Sequence, residues 1–421
     1  MCIYLLTKDP LYQLQAVCFG DVILKMAYVK LFILLLVLVI IPFYASRIKL
    51  SKINVYLFLF VVYNFCVIMF VNNDFPIQDR LTIYYVSMFL PLLLLIVNIF
   101  KINPSKISAQ IKTMLFSSFI LFTLLNCLVG IYQTVRGPDY YAPFYGVELL
   151  GIIPAKVLTV KDQTRCIGFF LDGVQYGLFL NFALFFFLSL IVLRNRYRYL
   201  VFIPLLLVNI YLTYTRSIYL FTLLNMALLL LIMSWKNRRS IVHYLSVKYY
   251  WIASTVIAAG VYLYGLTIEE SLFTKSLVIR FQSARFIMES LTSSYHKLFF
   301  GNGYIQNSEM FDEFVPDNFM LALASLGGIV GFALFMAIFI LLNNKIMKMK
   351  THFFDHPLYL TSYLFFSNIL AFGMFTNYLD TIFMFMAIPI AYVAHQGSMK
   401  DSGHSLTSST SDRSAPGTFA S

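Results

Sequence analysis

Charge is scarce in this sequence: only 12% of its 421 residues are Asp, Glu, Lys or Arg, against roughly a quarter in a soluble domain. A chain with so few ionic groups and 60% hydrophobic residues cannot cover its surface with water-loving side chains. That excludes a soluble globule and makes lipid the solvent for most of the protein. Cysteine is also sparse, and none of Cys2, Cys18, Cys66, Cys127 and Cys166 forms a C-x-x-C pair. Scattered in or beside apolar runs, they read as small hydrophobes rather than a redox or metal framework. The opening MCIYLLTKDP lacks a basic region followed by an apolar core and a small-residue cleavage site, which argues against a removed signal peptide. No stretch alternates at the period of a membrane β-barrel.

What the chain does have is long apolar runs, among them LFILLLVLVIIPFY, MFLPLLLLIVNIF and LLNMALLLLIM. A spanning helix needs about 20 mainly apolar residues. Apolar windows fall near 31–46, 53–71, 81–100, 113–131, 167–193, 199–214, 217–234, 249–268, 318–342, 358–374 and 376–395. The connections between them alternate in charge. RIKLSK, KINPSK, RNRYR, KNRRSIVHYLSVK and NNKIMKMK carry the Lys and Arg, whereas NNDFPIQDR and the turn at Thr215–Ser217 carry one each. The positive-inside rule puts the basic set in the cytoplasm and residues 132–164 and 269–316 on the opposite face. The predicted fold is therefore all-α: a polytopic helix bundle of eleven spans, or twelve if residues 12–29 also cross. Asp21 and Lys25 argue against that segment as an isolated lipid-facing helix. Residues 1–396 read as one transmembrane domain, and the Ser/Thr/Gly-rich stretch 397–421 as a disordered cytoplasmic tail.

The polar groups on the sparsely charged face are few, so each invites a functional reading. Arg165 stands at the end of the first long outer loop, with Gly168 and Asp172–Gly173 behind it. It reads either as an interfacial anchor with an Asp cap or as a group facing an anionic ligand. Arg216 interrupts a nearly continuous apolar stretch from Leu200 to Met233; a hairpin explains the interruption but does not require a guanidinium. In the 48-residue loop 269–316, apolar residues from Ser276 to Leu291 recur at helical spacing, predicting an amphipathic helix that bears Arg280 and Arg285. Gly301 and Gly303 predict a tight turn. Asp317–Asn318 predicts a cap on the next helix, and Gly327, Gly328 and Gly331 predict close helix packing. Arginine forks match phosphate oxygens. His352, Asp355 and His356 fall in a basic connection without cysteine support and read as interfacial groups, so no metal site is expected.

Three local patterns together resemble the O-antigen polymerase and O-antigen ligase superfamily of bacterial envelope glycosyltransferases. Arg165-Cys-Ile-Gly168-Phe-Phe170 resembles that family's Arg-x-x-Gly-x-Phe pattern, with Asp172–Gly173 where a Pro-Asn pair is frequent. Tyr214-Thr215-Arg216-Ser217 is similar to its Thr-x-Ser-Arg turn, with the last pair transposed. Arg280, Arg285, Gly301–Gly303, Asp317–Asn318 and the Leu-Gly-Gly-Ile-Val-Gly run at 326–331 resemble its large loop and glycine-rich continuation, with Asp317 where ligases have His.

The resemblance implies an inner-membrane glycosyltransferase of lipopolysaccharide or related polysaccharide biosynthesis, with its site facing the periplasm. It would join oligosaccharide repeat units carried on polyprenyl (undecaprenyl-type) pyrophosphate, using no cofactor. Arg165, Arg216, Arg280, Arg285 and Asn318 would bind substrate, and Asp317 or His296 would act as base. Membrane lipid, a chain-length regulator and a flippase would be its partners, and nucleic acid would not. A ligase, moving finished glycan to lipid A-core, is one alternative. A transporter of the same lipid-linked sugars is another, although it has little need of so long a loop.

Overall fold

The computed structural model describes residues 52–71, 76–77, 80–81, 84, 88, 91–96, 109–137, 159–160, 163–170, 173–238, 240–267, 285–303, 318–348, 354 and 356–375. Apart from a two-residue antiparallel ladder, Thr159–Val160 against Gln163–Thr164, every regular element among them is helical. In chain order these are α1 (Lys52–Cys66, continuing as a π-helix over Val67–Val71), α2 (Ala109–Arg136), α3 (Gly173–Arg194) and a 3-10 turn (Tyr197–Val201) leading into α4 (Phe202–Leu212). Then follow α5 (Arg216–Arg238), α6 (Ile241–Lys248), α7 (Tyr250–Thr267), the short α8 (Tyr295–Phe300), α9 (Phe319–Lys348) and α10 (Pro357–Gly373).

Five of these are long and apolar enough to cross a bilayer: Lys52–Val71, Thr113–Arg136, Gly173–Arg194, Arg216–Lys236 and Phe319–Lys348. Tyr197–Leu212 and Tyr250–Val261 are shorter apolar helices. The windows at 31–46 and 376–395 lie outside the described residues, as does the proposed tail; of the window 81–100, residues 91–96 are helical. Two boundaries differ from the hydropathy reading by six residues: the end of α9, which runs on to Lys348 past the window end at 342, and the start of α3. The window at 167–193 contains a helix only from Gly173, and residues 167–170 ahead of it take a different path, described below.

α3 is the most buried of the five and α2 the least, so α3 is the bundle's centre and α2 a peripheral helix. The seam between them is aromatic. Phe116, Phe119 and Phe122, three residues apart on α2, meet Phe179, Phe182 and Phe186 of α3 at centroid distances of 5.4–6.2 Å, mostly edge to face, the geometry the ring quadrupole favours. Polar pairs cross the other seams. Asn181 accepts from Thr222 at 2.8 Å, Ser189 meets Thr361 at 3.2 Å, and Asn368 donates to Asn225 at 2.9 Å. Interhelical hydrogen bonds of this kind contribute about 0.6–2 kcal/mol each in a membrane and fix which faces meet.

These contacts also fix which ends lie together. Ser189 and Thr361 pair near the last turn of α3 and the first of α10, so the two run antiparallel. Phe372, at the end of α10, packs on Phe221 early in α5 at 4.9 Å, and Gly373 abuts Phe319, the first residue of α9. The starts of α3, α5 and α9 therefore share one end of the bundle. Lys248, Asn343 and Ile346 share the other, where Asn343 donates to the Lys248 carbonyl at 3.1 Å and Tyr359 to that of Ile346 at 3.0 Å.

Candidate functional site

Residues 166–170 are apolar yet not helical, so their buried backbone groups need partners from elsewhere in the chain. Each of five consecutive N–H groups has one. Cys166 donates to the Leu212 carbonyl at 3.1 Å. Ile167 and Gly168 both donate to Gln133 Oε1 at 2.9 Å. Phe169 donates to Asn126 Oδ1 at 3.0 Å, and Phe170 closes a turn onto Ile167 at 2.9 Å. The Gly168 carbonyl accepts from Gln133 Nε2 at 2.7 Å. Two side-chain amides, seven residues apart on one face of α2, thus take the place of a helix's own hydrogen bonds. Both are fully buried.

The cradle tolerates no extra atoms. Gly168 has φ +56°, and a Cβ there would lie 2.7 Å from both Asn126 Oδ1 and the Tyr176 ring. Behind it the Tyr176 hydroxyl sits 3.0 Å from the Asn126 carbonyl and 2.9 Å from Asn209 Oδ1, its one proton shared between two acceptors. Gly130 leaves room for that hydroxyl, since a Cβ would come within 2.6 Å of it. The Cys166 Sγ points at the Asn209 carbonyl at 3.4 Å, and burial pushes its thiol pKa well above the ordinary value.

The loop delivers Arg165 to the α4–α5 hairpin. Thr213 and Thr215 close that hairpin, Thr215 Oγ1 donating to the Thr213 carbonyl at 3.0 Å, with Tyr214 at φ +46°. Arg216 is the exposed first residue of α5, and Arg165 is half-buried beside the hairpin. Gly173, the first residue of α3, packs on the same threonines. Two guanidiniums thus stand at the N-terminal, positive ends of α3 and α5, where the helix dipole disfavours cations and favours anions. Asp172 lies outside the described residues, and Glu289 is the sole carboxylate among them.

Glu289 belongs to a second segment. Residues 285–292 are helical, which is the described part of the amphipathic helix expected at 276–291. Arg285 Nε donates to Glu289 Oε1 at 2.8 Å, both side chains being largely exposed, and that hydrogen bond raises the guanidinium pKa further. His296, on α8, is exposed with its ring 5.1 Å from that of Phe300. The expected turn at Gly301 and Gly303 is present, both with φ near +80°.

This segment clasps α9 at a break. Gly328 has φ +59° and ψ −161°, which splits α9 into two helical stretches. Asn302 N–H donates to the Ser325 carbonyl at 2.7 Å, and the Tyr63 hydroxyl of α1 donates to that of Gly327 at 2.7 Å. A Cβ on Gly328 would lie 2.4 Å from the Phe299 carbonyl, and one on Gly301 would lie 2.6 Å from the Gly328 nitrogen. Gly327 and Gly331 face the Tyr63 ring. So two of the three glycines make the close helix packing expected of them, while Gly328 makes a kink.

Of the expected capping pair, Asn318 is among the described residues, and it caps α9. Asn318 Oδ1 accepts from Met320 N at 2.9 Å and Leu321 N at 3.2 Å. Asp317 and Arg280 lie outside the described residues. Arg165 and Arg216 are therefore brought to one hairpin, with Asn318 at the same end of the bundle and Arg285 and His296 on the segment clasped near it. Hydropathy windows gave no sign of Gln133, Asn126, Tyr176, Asn209, Tyr63 or Asn302. The spacing of Asn126 and Gln133, two amides seven apart in an apolar helix, is the signal that finds the cradle.

Comparison of the chain with protein-family models, curated protein sequences and solved structures finds no match. The likeness to the O-antigen enzymes therefore rests on the local sequence motifs alone.

Proposed function

We propose that this chain is a polymerase of lipid-linked oligosaccharide: an inner-membrane protein of eleven or twelve spans whose Arg165 end faces the periplasm. The observation that carries the reading is the immobilised Arg165 loop, held by buried amides against the hairpin that bears Arg216. A rigid pair of guanidiniums at two helix N-termini suits a diphosphate whose charge grows as it leaves. In the reaction, a hydroxyl oxygen of the acceptor repeat attacks the donor's anomeric carbon. The bond from that carbon to the pyrophosphate oxygen breaks, and polyprenyl pyrophosphate departs with the electron pair. Asp317 or His296 takes the hydroxyl proton. Arg165 and Arg216 hold the pyrophosphate, with Arg280 and Arg285 completing the clamp. Asn318 spends its carbonyl oxygen on the α9 cap, so only its amide nitrogen can turn to the sugar.

A flippase for the same lipid-linked sugar is the second reading, favoured by the break in α9, since interrupted helices recur at transporter sites. Deletion of the gene followed by gel analysis of surface glycan separates the possibilities. Single repeats on an intact anchor support the polymerase. Complete loss from the anchor with carrier-linked chains retained indicates a ligase, and repeat units trapped on the cytoplasmic face indicate a flippase.

A further inference from the structure

The opposite end of α3 carries a feature that glycan chemistry does not use. Arg194, Arg196 and Arg198 fall within five residues, and all three are exposed. They are compressed by a tight turn: Asn195 takes φ +51°, the Arg196 N–H reaches back to the Leu190 carbonyl at 3.4 Å, and the 3-10 turn begins at Tyr197. Asn195, Arg196, Tyr197 and Arg198 line a shallow concavity of about 480 Å³.

One of the guanidiniums is buttressed. Arg198 Nη2 donates to the Tyr199 hydroxyl at 3.0 Å and its guanidinium lies 5.0 Å from the centre of that ring. Tyr199 is itself buried and stacked on Phe187 of α3 at 5.5 Å. Arg198 is thereby fixed to the bundle core, with donors left over, because a guanidinium has five. Along the chain, every charged side chain between Gly173 and Ile268 is basic. α3 has 22 residues, a length of about 33 Å close to that of the hydrocarbon core, so a membrane-spanning α3 puts Arg194 at the boundary. Tyr197, Leu200 and Val201 beside it are 62%, 51% and 69% exposed, an apolar flank suited to acyl chains. Arginine forks at headgroup depth beside lipid-facing apolar residues fit one ligand chemistry.

We propose that the Arg194–Arg198 turn is a binding site for the phosphate of an anionic phospholipid headgroup, with Arg196 and Arg198 as its principal donors. The site is independent of the glycosyltransferase reading. Each juxtamembrane arginine near an anionic surface contributes about a fivefold change in affinity, so losing two lowers it roughly thirtyfold.

The test uses the full chain in neutral detergent, with native mass spectrometry counting bound lipid during titration with phosphatidylglycerol or phosphatidylcholine. Binding of phosphatidylglycerol that weakens with added salt, is not matched by phosphatidylcholine, and drops roughly thirtyfold in Arg196→Gln/Arg198→Gln is the expected result. Arg196→Lys/Arg198→Lys, which keeps charge without the fork, should fall between. If the double variant does not fold, Arg196→Gln alone, at an exposed position, should cost about fivefold. Unchanged phosphatidylglycerol binding in the Gln variants overturns the site and leaves the arginines as topology signals. Displacement of the lipid by millimolar inorganic phosphate overturns the lipid as the source of the anion.

Discussion

Replacing Gln133 by leucine keeps the bulk of the side chain and deletes its amide. Three backbone groups lose their partners: the N–H groups of Ile167 and Gly168 and the carbonyl of Gly168. A buried group left unsatisfied costs about 1–3 kcal/mol. Allowing for relaxation and water entry, the loop should detach from α2 more easily by about 3 kcal/mol, a shift of roughly a hundredfold in the open fraction. Cys166 reports this directly. Its thiol is buried and its pKa is raised by that burial, so both access and thiolate formation suppress its reaction in the closed state. In a background with Cys2, Cys18, Cys66 and Cys127 replaced, alkylation of the folded protein in detergent should be slow. In Gln133→Leu it should be about a hundredfold faster when loop closing outpaces labelling. Gln133→Glu keeps an acceptor for the two N–H groups but no donor, and should lie between. Labelling of Gln133→Leu at the parental rate would show that the amide does not hold the loop.

Three further outcomes follow from other parts of the site. Gly328→Ala meets both a glycine-only conformation and the Phe299 carbonyl at 2.4 Å; it should cost about 3 kcal/mol, read as a lowered thermal midpoint, and a wild-type midpoint refutes the clasp. Asn318→Ala removes the acceptor for Met320 N and Leu321 N and should cost about 1 kcal/mol, whereas Asp317→Ala should leave the midpoint unchanged while reducing polymer. Equal loss of stability in both would reassign the cap. Substituting Arg165, Arg216, Arg280 and Arg285 singly by Lys should abolish the glycan ladder at two or more positions, because charge remains and the fork is lost. Normal ladders from all four, at normal expression, refute the clamp.

The helices were readable because long apolar runs are a transfer property, and windows detect it directly. Lys52–Val71, Arg216–Lys236 and Phe319–Lys348 agree with windows at 53–71, 217–234 and 318–342 to within a few residues, except at the C-terminus of the last. Hydropathy failed at 167–170 for a definite reason. It scores side chains, whereas the path of residues 167–169 is set by where backbone N–H groups find acceptors, on Gln133 and Asn126, 34–43 residues earlier. The kink at Gly328 was hidden likewise. Its glycines looked like packing surface, and only the approach of Phe299 and Gly301 reveals that one of them bends the chain. The arginines stood out from the sequence because the surrounding face has so little charge. The groups that hold the Arg165 loop are neutral amides, which hydropathy windows pass over and only their spacing in α2 betrays.

The most direct test of the central claim is reconstitution of the purified chain in liposomes with oligosaccharide repeat units on polyprenyl pyrophosphate. The account predicts a ladder of lengthened glycan, one polyprenyl pyrophosphate released per bond formed, and loss of both products in Arg165→Lys and Arg216→Lys. Movement of intact repeat units across the bilayer, with no lengthening and no released pyrophosphate carrier, would contradict it.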